Sequence, residues 1–260
     1  MKRSGTVEAD AMATVTAAAK GENGKTSRPA AVRYYDPWAG TDFVIPPIDT
    51  LDGFVRWACS DAFPSRGKIS YVDGVVECDM SPPKIFSHGR FVEVLARAIG
   101  NIVDHNDLGV LQTHQTLVVL PGCDFAVEPD VVFVSHESLD SGRVSLRDHR
   151  NEPAEEGEDA LVLAGPPDIV VEVVSKSSVT KDKSRLRDAY EAAGVAEYWL
   201  VDARGARIEF ELLVHDGDGF TQAAADADGW RRSSVLNRSF RLSREAGRSG
   251  RPRIVCDSRD

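Results

Sequence analysis

Residues 167–175 read Pro-Asp-Ile-Val-Val-Glu-Val-Val-Ser. Apart from Glu172, every residue from Ile169 to Val174 is β-branched and apolar, the composition of a central strand buried on both faces. Strand alternation places Asp168, Val170, Glu172 and Val174 on one face. An ionised carboxylate in that setting is costly unless it is paired, protonated or coordinated to a cation. Glu172 therefore reads in two ways. It is either a buried acid satisfied by a distant arginine or helix N-terminus, or one part of a cation site. The nearest acid on its own face is Asp168, and two converging carboxylates make the oxygen-rich site preferred by a hard divalent metal such as magnesium.

Elements follow on both sides of this strand. Downstream, a helix is predicted over 179–193, stopped by Gly194, then a strand over 195–202 (VAEYWLVD) and another over 208–214. Upstream, strands are predicted over 109–120 and 130–135, with Pro121-Gly122 as the turn between them. A helix over 85–105 carries Phe91, Leu95, Ala98, Ile99 and Ile102 at helical spacing. Asp73-Gly74 marks a hairpin between strands over 68–73 and 75–80, preceded by a short helix over 51–62. Residues 141–166, with the acidic run EPAEEGED, read as a surface loop. The expected class is α/β or α+β, built around one mixed sheet flanked by helices. The expected domain runs over 42–230, with a disordered N-terminal tail over 1–40 and a basic, loosely ordered C-terminal tail over 231–260.

The composition is that of an ordinary globular protein: 260 residues, 42% hydrophobic and 28% charged. It excludes collagen-like, disulfide-scaffold and wholly disordered chains. The formal net charge of −10 argues against strong non-specific grip on nucleic acid. Basic side chains are in surplus within 1–33 and 231–260, so the stretch between them is more acidic than the total suggests. No apolar stretch approaches the roughly 20 residues of a membrane span, and no membrane partner is expected. The Met-Lys-Arg start lacks an apolar segment and carries Glu8 and Asp10, so it reads as a leader without structure rather than a signal peptide. Cys59, Cys78, Cys123 and Cys256 form no CxxC pair, which suggests reduced thiols in a cytoplasm.

Asp130 changes the weighting of Glu172. Glu128-Pro129-Asp130 leads into an apolar strand, and Pro129 stiffens the backbone where the acid is presented. Alone, a Pro-Asp pair shapes a turn. Together with Glu172, it gives two neighbouring strands that each present an acid, a common metal cradle.

Glu-Pro-Asp before an apolar strand, then PDIVVEVVS, a basic segment, Tyr190 and AGVAEYWLVD, resembles the Uma-type family of restriction endonucleases within the PD-(D/E)xK nuclease superfamily. YVDG, MSPP and FSHGRF extend the resemblance, which covers about residues 50–215. It implies a restriction-endonuclease-like core in which Asp130 takes the Pro-Asp position and Glu172 the (D/E) position. These would hold one or two magnesium ions, with manganese as a substitute and the carbonyl of Val173 as a further ligand. The superfamily lysine falls at Val174, a departure. The family implies a basic group from the following helix instead, with Lys181 favoured, then Lys183, and Lys176 and Arg185 behind them. The resemblance also places His88 near the cleft, where it would contact phosphate or assist proton transfer. A helix cap is its bland reading. Glu77, alternating outward from the hairpin, is a further acid with an ordinary exposed reading. Tyr190, Tyr198 and Trp199 fit core packing.

The leading expectation is a magnesium-dependent DNA endonuclease with weak non-specific DNA binding and a homodimeric arrangement for double-strand cutting. Two other readings stand beside it: a catalytically degenerate nuclease-fold interaction protein, and a metal-dependent hydrolase of RNA or another phosphate ester.

Overall fold

The apolar segment around Glu172 forms the strand Ile169–Val173, buried at every position. The computed structural model describes residues 12–16, 31–36, 40–82, 84–113, 115–154, 160–176, 178–179 and 181–260. Ile169–Val173 lies inside a six-stranded mixed sheet ordered Phe220–Gln222, Glu209–His215, Glu197–Asp202, Ile169–Val173, Val131–Ser135, Gly109–Thr113. It runs parallel to Glu197–Asp202 and antiparallel to Val131–Ser135. A second, seven-stranded sheet is ordered Met12–Thr16, Val75–Asp79, Lys68–Val72, Phe125–Val127, Leu117–Leu120, Val162–Ala164, Ser145–Arg147. The class is α+β, with mixed sheets and few helices.

Two large sheets thus replace the single one expected, because the chain passes from one to the other five times. Three of these passages have a local cause in the backbone. The predicted strand over 109–120 breaks at Gln115, whose φ of +57° turns the backbone. Between Phe125–Val127 and Val131–Ser135, Pro129 has no N–H to continue a ladder. Between Val162–Ala164 and Ile169–Val173 comes Gly165, at φ +121°, where a Cβ would meet the Arg143 carbonyl oxygen at 2.1 Å. Pro166 and Pro167 follow it. The loop expected over 141–166 accordingly contains two strands, Ser145–Arg147 and Val162–Ala164, while its residues 155–159 lie outside the described residues.

The predicted hairpin is present. Asp73 and Gly74 both take positive φ, +53° and +78°, as the tight turn between Lys68–Val72 and Val75–Asp79 requires. Helix Arg90–Asn106 follows one π-helical turn, Ile85–Gly89. It packs Phe91, Leu95, Ile99 and Val103 against Ile169, Val171, Val173 and Trp199. On the opposite face, helix Leu186–Ala193 follows a second π-helical turn, Lys181–Arg185, and sets Leu186 and Tyr190 against Val170, Val174 and Tyr198. Tyr190, Tyr198 and Trp199 are core aromatics: Tyr190 and Tyr198 have ring centroids 5.2 Å apart, and Trp199 meets Phe240 at 4.7 Å. No helix among the described residues is long and apolar enough to cross a membrane.

Two expectations about the ends are corrected. Within 1–40, Met12–Thr16 pairs with Val75–Asp79 and Val32–Asp36 with Thr41–Ile45. Both segments are rich in β-branched or aromatic residues, and most of the remainder of 1–40 lies outside the described residues. Residues 231–260 are a three-stranded antiparallel sheet, Arg231–Ser233, Arg238–Ala246 and Pro252–Arg259. Its anchor is Glu197, a fully buried carboxylate on the central sheet. Glu197 accepts hydrogen bonds from Trp199 Nε1, Ser233 Oγ, the N–H and Oγ of Ser234, and the Val235 N–H. Leu236, Phe240 and Ile254 then enter the same core as Trp199.

Candidate active site

The ladder between Ile169–Val173 and Val131–Ser135 pairs Val170 with Val132 and Val171 with Val131. One step further, the same register sets Glu172 opposite Asp130. Alternation turns both side chains to the face of Val132, Val170 and Val174, toward the core under helix Leu186–Ala193. Like charges directly opposed across strands, with Cβ atoms about 5 Å apart, repel each other. Both acids are buried, Asp130 at 0% and Glu172 at 2% exposure, so the pair requires compensation.

Lys68 supplies it. Its Nζ lies 2.5 Å from Asp130 Oδ1 and 3.4 Å from Glu172 Oε2. The seven-stranded sheet carries it there: Tyr71 pairs with Ala126 and Val72 with Phe125. Followed back, that register brings Lys68 alongside Glu128-Pro129-Asp130, where the chain passes between sheets. Asp130 Oδ2 accepts the Val173 N–H at 2.7 Å and lies 3.3 Å from His88 Nε2. His88, in the π-helical turn Ile85–Gly89, is buried, and its Nδ1 has no hydrogen-bond partner among the described residues. The Tyr190 hydroxyl lies close to Glu172 without meeting it in hydrogen-bonding geometry.

These neighbours drive the two carboxyls apart. Burial works against ionisation of Asp130, but the Lys68 charge and hydrogen bonds from His88 and Lys68 outweigh it and hold this carboxyl below the usual range. Burial pushes Glu172 up to about 8; Lys68 opposes the rise, and the charges of Asp130 and Asp182 add to it. Burial opposes the Lys68 charge too, yet Asp130 and Glu172 keep it protonated. Asp182 and Glu128, which sequence reasoning left out of the site, share this field. Burial raises both carboxyls, and the charges of Lys181 and Lys68 lower both.

The structure therefore brings Asp130, Glu172 and His88 together, and it adds Lys68. Val173 meets Asp130 through its N–H. Lys181 acts on Glu172 at the range of charge alone. Lys183 turns elsewhere, with its Nζ 2.8 Å from Asp202 and 3.1 Å from Glu209. Arg185 pairs with Glu77 and donates to the Val72 carbonyl at 3.3 Å. Glu77 is buried, not exposed as its alternation suggested.

Asp168 shares a strand with Glu172 but not its surroundings. It holds the start of the helix His136–Asp140, whose N-cap is Ser135, by accepting from the Ser135 N–H at 2.6 Å and Ser138 Oγ at 2.8 Å, and it pairs with Arg143 at 2.8 Å. It is thus a structural acid. Asp168→Asn should leave any cleavage activity within about twofold of wild type and lower stability by about 1–3 kcal/mol, measured by urea unfolding. Loss of activity in a folded variant would return Asp168 to the site.

Among the described residues, no three His, Cys, Asp or Glu side chains are grouped for a metal. The residues that could hold one are Asp130 and Glu172, whose nearer oxygens flank a single ammonium. A cation already bridges them, so the donor set fits a hard divalent ion completed by main-chain, water or substrate oxygens.

A family model described as Uma2, putative restriction endonuclease, matches residues 51–245. No curated protein matches the chain. Among solved structures, it is similar to a crystal structure of a putative nuclease belonging to DUF820 from Anabaena variabilis. Identity is 15%, coverage is 72% of this chain and 90% of that one, and the TM-score is 0.49.

Proposed function

This chain belongs to the Uma2 family, and from that premise we propose that it is a metal-dependent nuclease hydrolysing phosphodiester bonds in DNA. The observation that carries the reading is the opposed pair Asp130–Glu172, buried on one sheet face and joined through a cation. Magnesium bound there would supply Lewis acidity, polarising the phosphate and lowering the pKa of a water. The chain's own groups have definable tasks. Asp130 is fixed by the Val173 N–H and His88, so its carboxylate is oriented before any ligand arrives. His88 Nε2 lies 3.3 Å from Asp130 Oδ2, and its Nδ1, without a hydrogen-bond partner among the described residues, is the ring atom left to meet a water or a phosphate. Lys68, the basic group nearest both carboxylates, is suited to orient a nucleophile or offset charge on a phosphate, the task that the missing lysine at Val174 would have had.

The test is direct. Purified protein should nick plasmid DNA with magnesium or manganese, and chelation should stop it. Lys183→Ala should cut within about twofold of wild type, because its partners are Asp202 and Glu209. No cleavage across metals and DNA substrates overturns the reading, and cleavage of RNA alone moves the substrate. A second reading rests on Lys68 as well: an ammonium that already satisfies both acids suits a nuclease fold that has given up catalysis and serves as an interaction protein. Thermal unfolding separates the two. A competent site gains about 2.7 kcal/mol from magnesium at a hundred times its Kd, and a degenerate one gains nothing.

A further inference from the structure

The C-terminal sheet and helix Arg90–Asn106 enclose an open groove of about 460 Å³ that shares no residue with the carboxylate cluster. One wall is a helix face on which Arg90, Arg97, Asn101 and His105 follow one another at spacings of seven, four and four residues. Arg238 and Arg253 stand on the facing sheet. Residues 231–260 hold nine arginines against Glu245, Asp257 and Asp260, in a chain whose net charge is −10.

The groove's arginines do have acidic neighbours. Arg90 and Arg97 both pair with Glu93, Arg238 with Asp260 at 2.6 Å, and Arg253 with Glu245 at 3.8 Å. All three acids are exposed, so these pairs are weak in water and give way to a better partner. Four guanidinium groups against three carboxylates leave a positive remainder. A phosphate offers each guanidinium a planar, two-point acceptor. At physiological salt, charges beyond about 8 Å are screened, so an approaching phosphate meets the groove rather than the chain's overall negative charge.

We propose that this groove binds the sugar-phosphate backbone of DNA, holding the duplex through sequence-independent contacts while the carboxylate cluster acts at a separate site. The helix that lines it begins at Arg90, two residues after His88, so a duplex lying along the helix is led toward the site. This inference rests on the nuclease reading for its choice of ligand, but it is tested without catalysis.

The experiment is fluorescence anisotropy of a labelled DNA duplex titrated with full-length protein in EDTA at several salt concentrations. Arg238→Ala/Arg253→Ala should bind at least tenfold more weakly, and the slope of log K against log salt should fall by roughly 2, one for each guanidinium–phosphate pair removed. Arg207→Ala, exposed and outside the groove, should bind within twofold of wild type, and circular dichroism should show all three proteins folded. Unchanged binding by the double variant overturns the proposal. So does an equal loss in Arg207→Ala, or no binding by wild type. Cleavage with groove-independent binding would leave the nuclease reading standing and remove the groove. Groove-dependent binding without cleavage would do the reverse.

Discussion

On the proposed reading, Glu172→Gln is expected to abolish cleavage, lowering the rate by at least about a thousandfold at saturating magnesium, the scale expected when a charged oxygen at the centre of a metal-assisted displacement is removed. Glutamine keeps the shape of the side chain, so the strand Ile169–Val173 and its neighbours should pack unchanged. What it removes is the charge opposite Asp130. In metal-free protein that charge is a liability, because burial and the charges of Asp130 and Asp182 push the Glu172 carboxyl up to about 8. The folded state therefore holds a proton that the unfolded chain releases near its ordinary carboxylate value. The stability this confers is fully present at pH 4 and is lost as the pH rises through about 8. Thermal unfolding in EDTA should show the difference in Tm between variant and wild type moving in the variant's favour from pH 5 to pH 8. Parallel curves would place the titration elsewhere, and full cleavage by Glu172→Gln would end the nuclease reading at this site.

The convergence of Glu172 and Asp130 was legible because each acid stands against an apolar strand, and a period of two fixes which face it takes. The hairpin at Asp73-Gly74 and the stripe on helix Arg90–Asn106 were legible for the same local reason. Lys68 was not. Its two contacts span 62 and 104 residues, and they arise from a register between strands of one sheet acting on a pair in the other. A lysine opening a strand carries no sign of that. The family resemblance pointed instead to the helix following Glu172, where the favoured Lys181 acts on Glu172 through charge alone and Lys183 faces Asp202 and Glu209. The C-terminal sheet was hidden differently. Its apolar residues are thinly spread among arginines and serines, and the group that binds it down, Glu197, lies in another element and looks like an ordinary strand glutamate. The division into two sheets depended in part on Gln115, Pro129 and Gly165, three separate interruptions with no common signature.

Lys68→Met tests whether the opposed carboxylates demand a cation. Methionine preserves most of the stem's packing and removes the ammonium. Asp130 then keeps only the Val173 N–H and His88, and Glu172 loses its sole hydrogen-bonded cationic neighbour among the described residues. Breaking a buried pair from one side leaves an uncompensated charge and costs about 3–5 kcal/mol. In a chain of this length, that lowers Tm by roughly 10 °C. The loss should be largest in EDTA. Millimolar magnesium should restore most of it, whereas sodium chloride at equal ionic strength should not, because screening does not reach a buried site. A packing defect predicts otherwise: Tm falls and no ion repairs it. Lys68→Met/Glu172→Gln completes the test. Above the Glu172 titration, where both carboxylates are otherwise ionised, the glutamine removes the charge that makes the site need a cation. The double variant should regain most of the lost metal-free stability and lose its response to magnesium, so the two substitutions are strongly non-additive. Simple addition of their effects would show that Lys68 packs against the cluster without balancing its charge, and the cation-site reading of Asp130 and Glu172 would lose its main support.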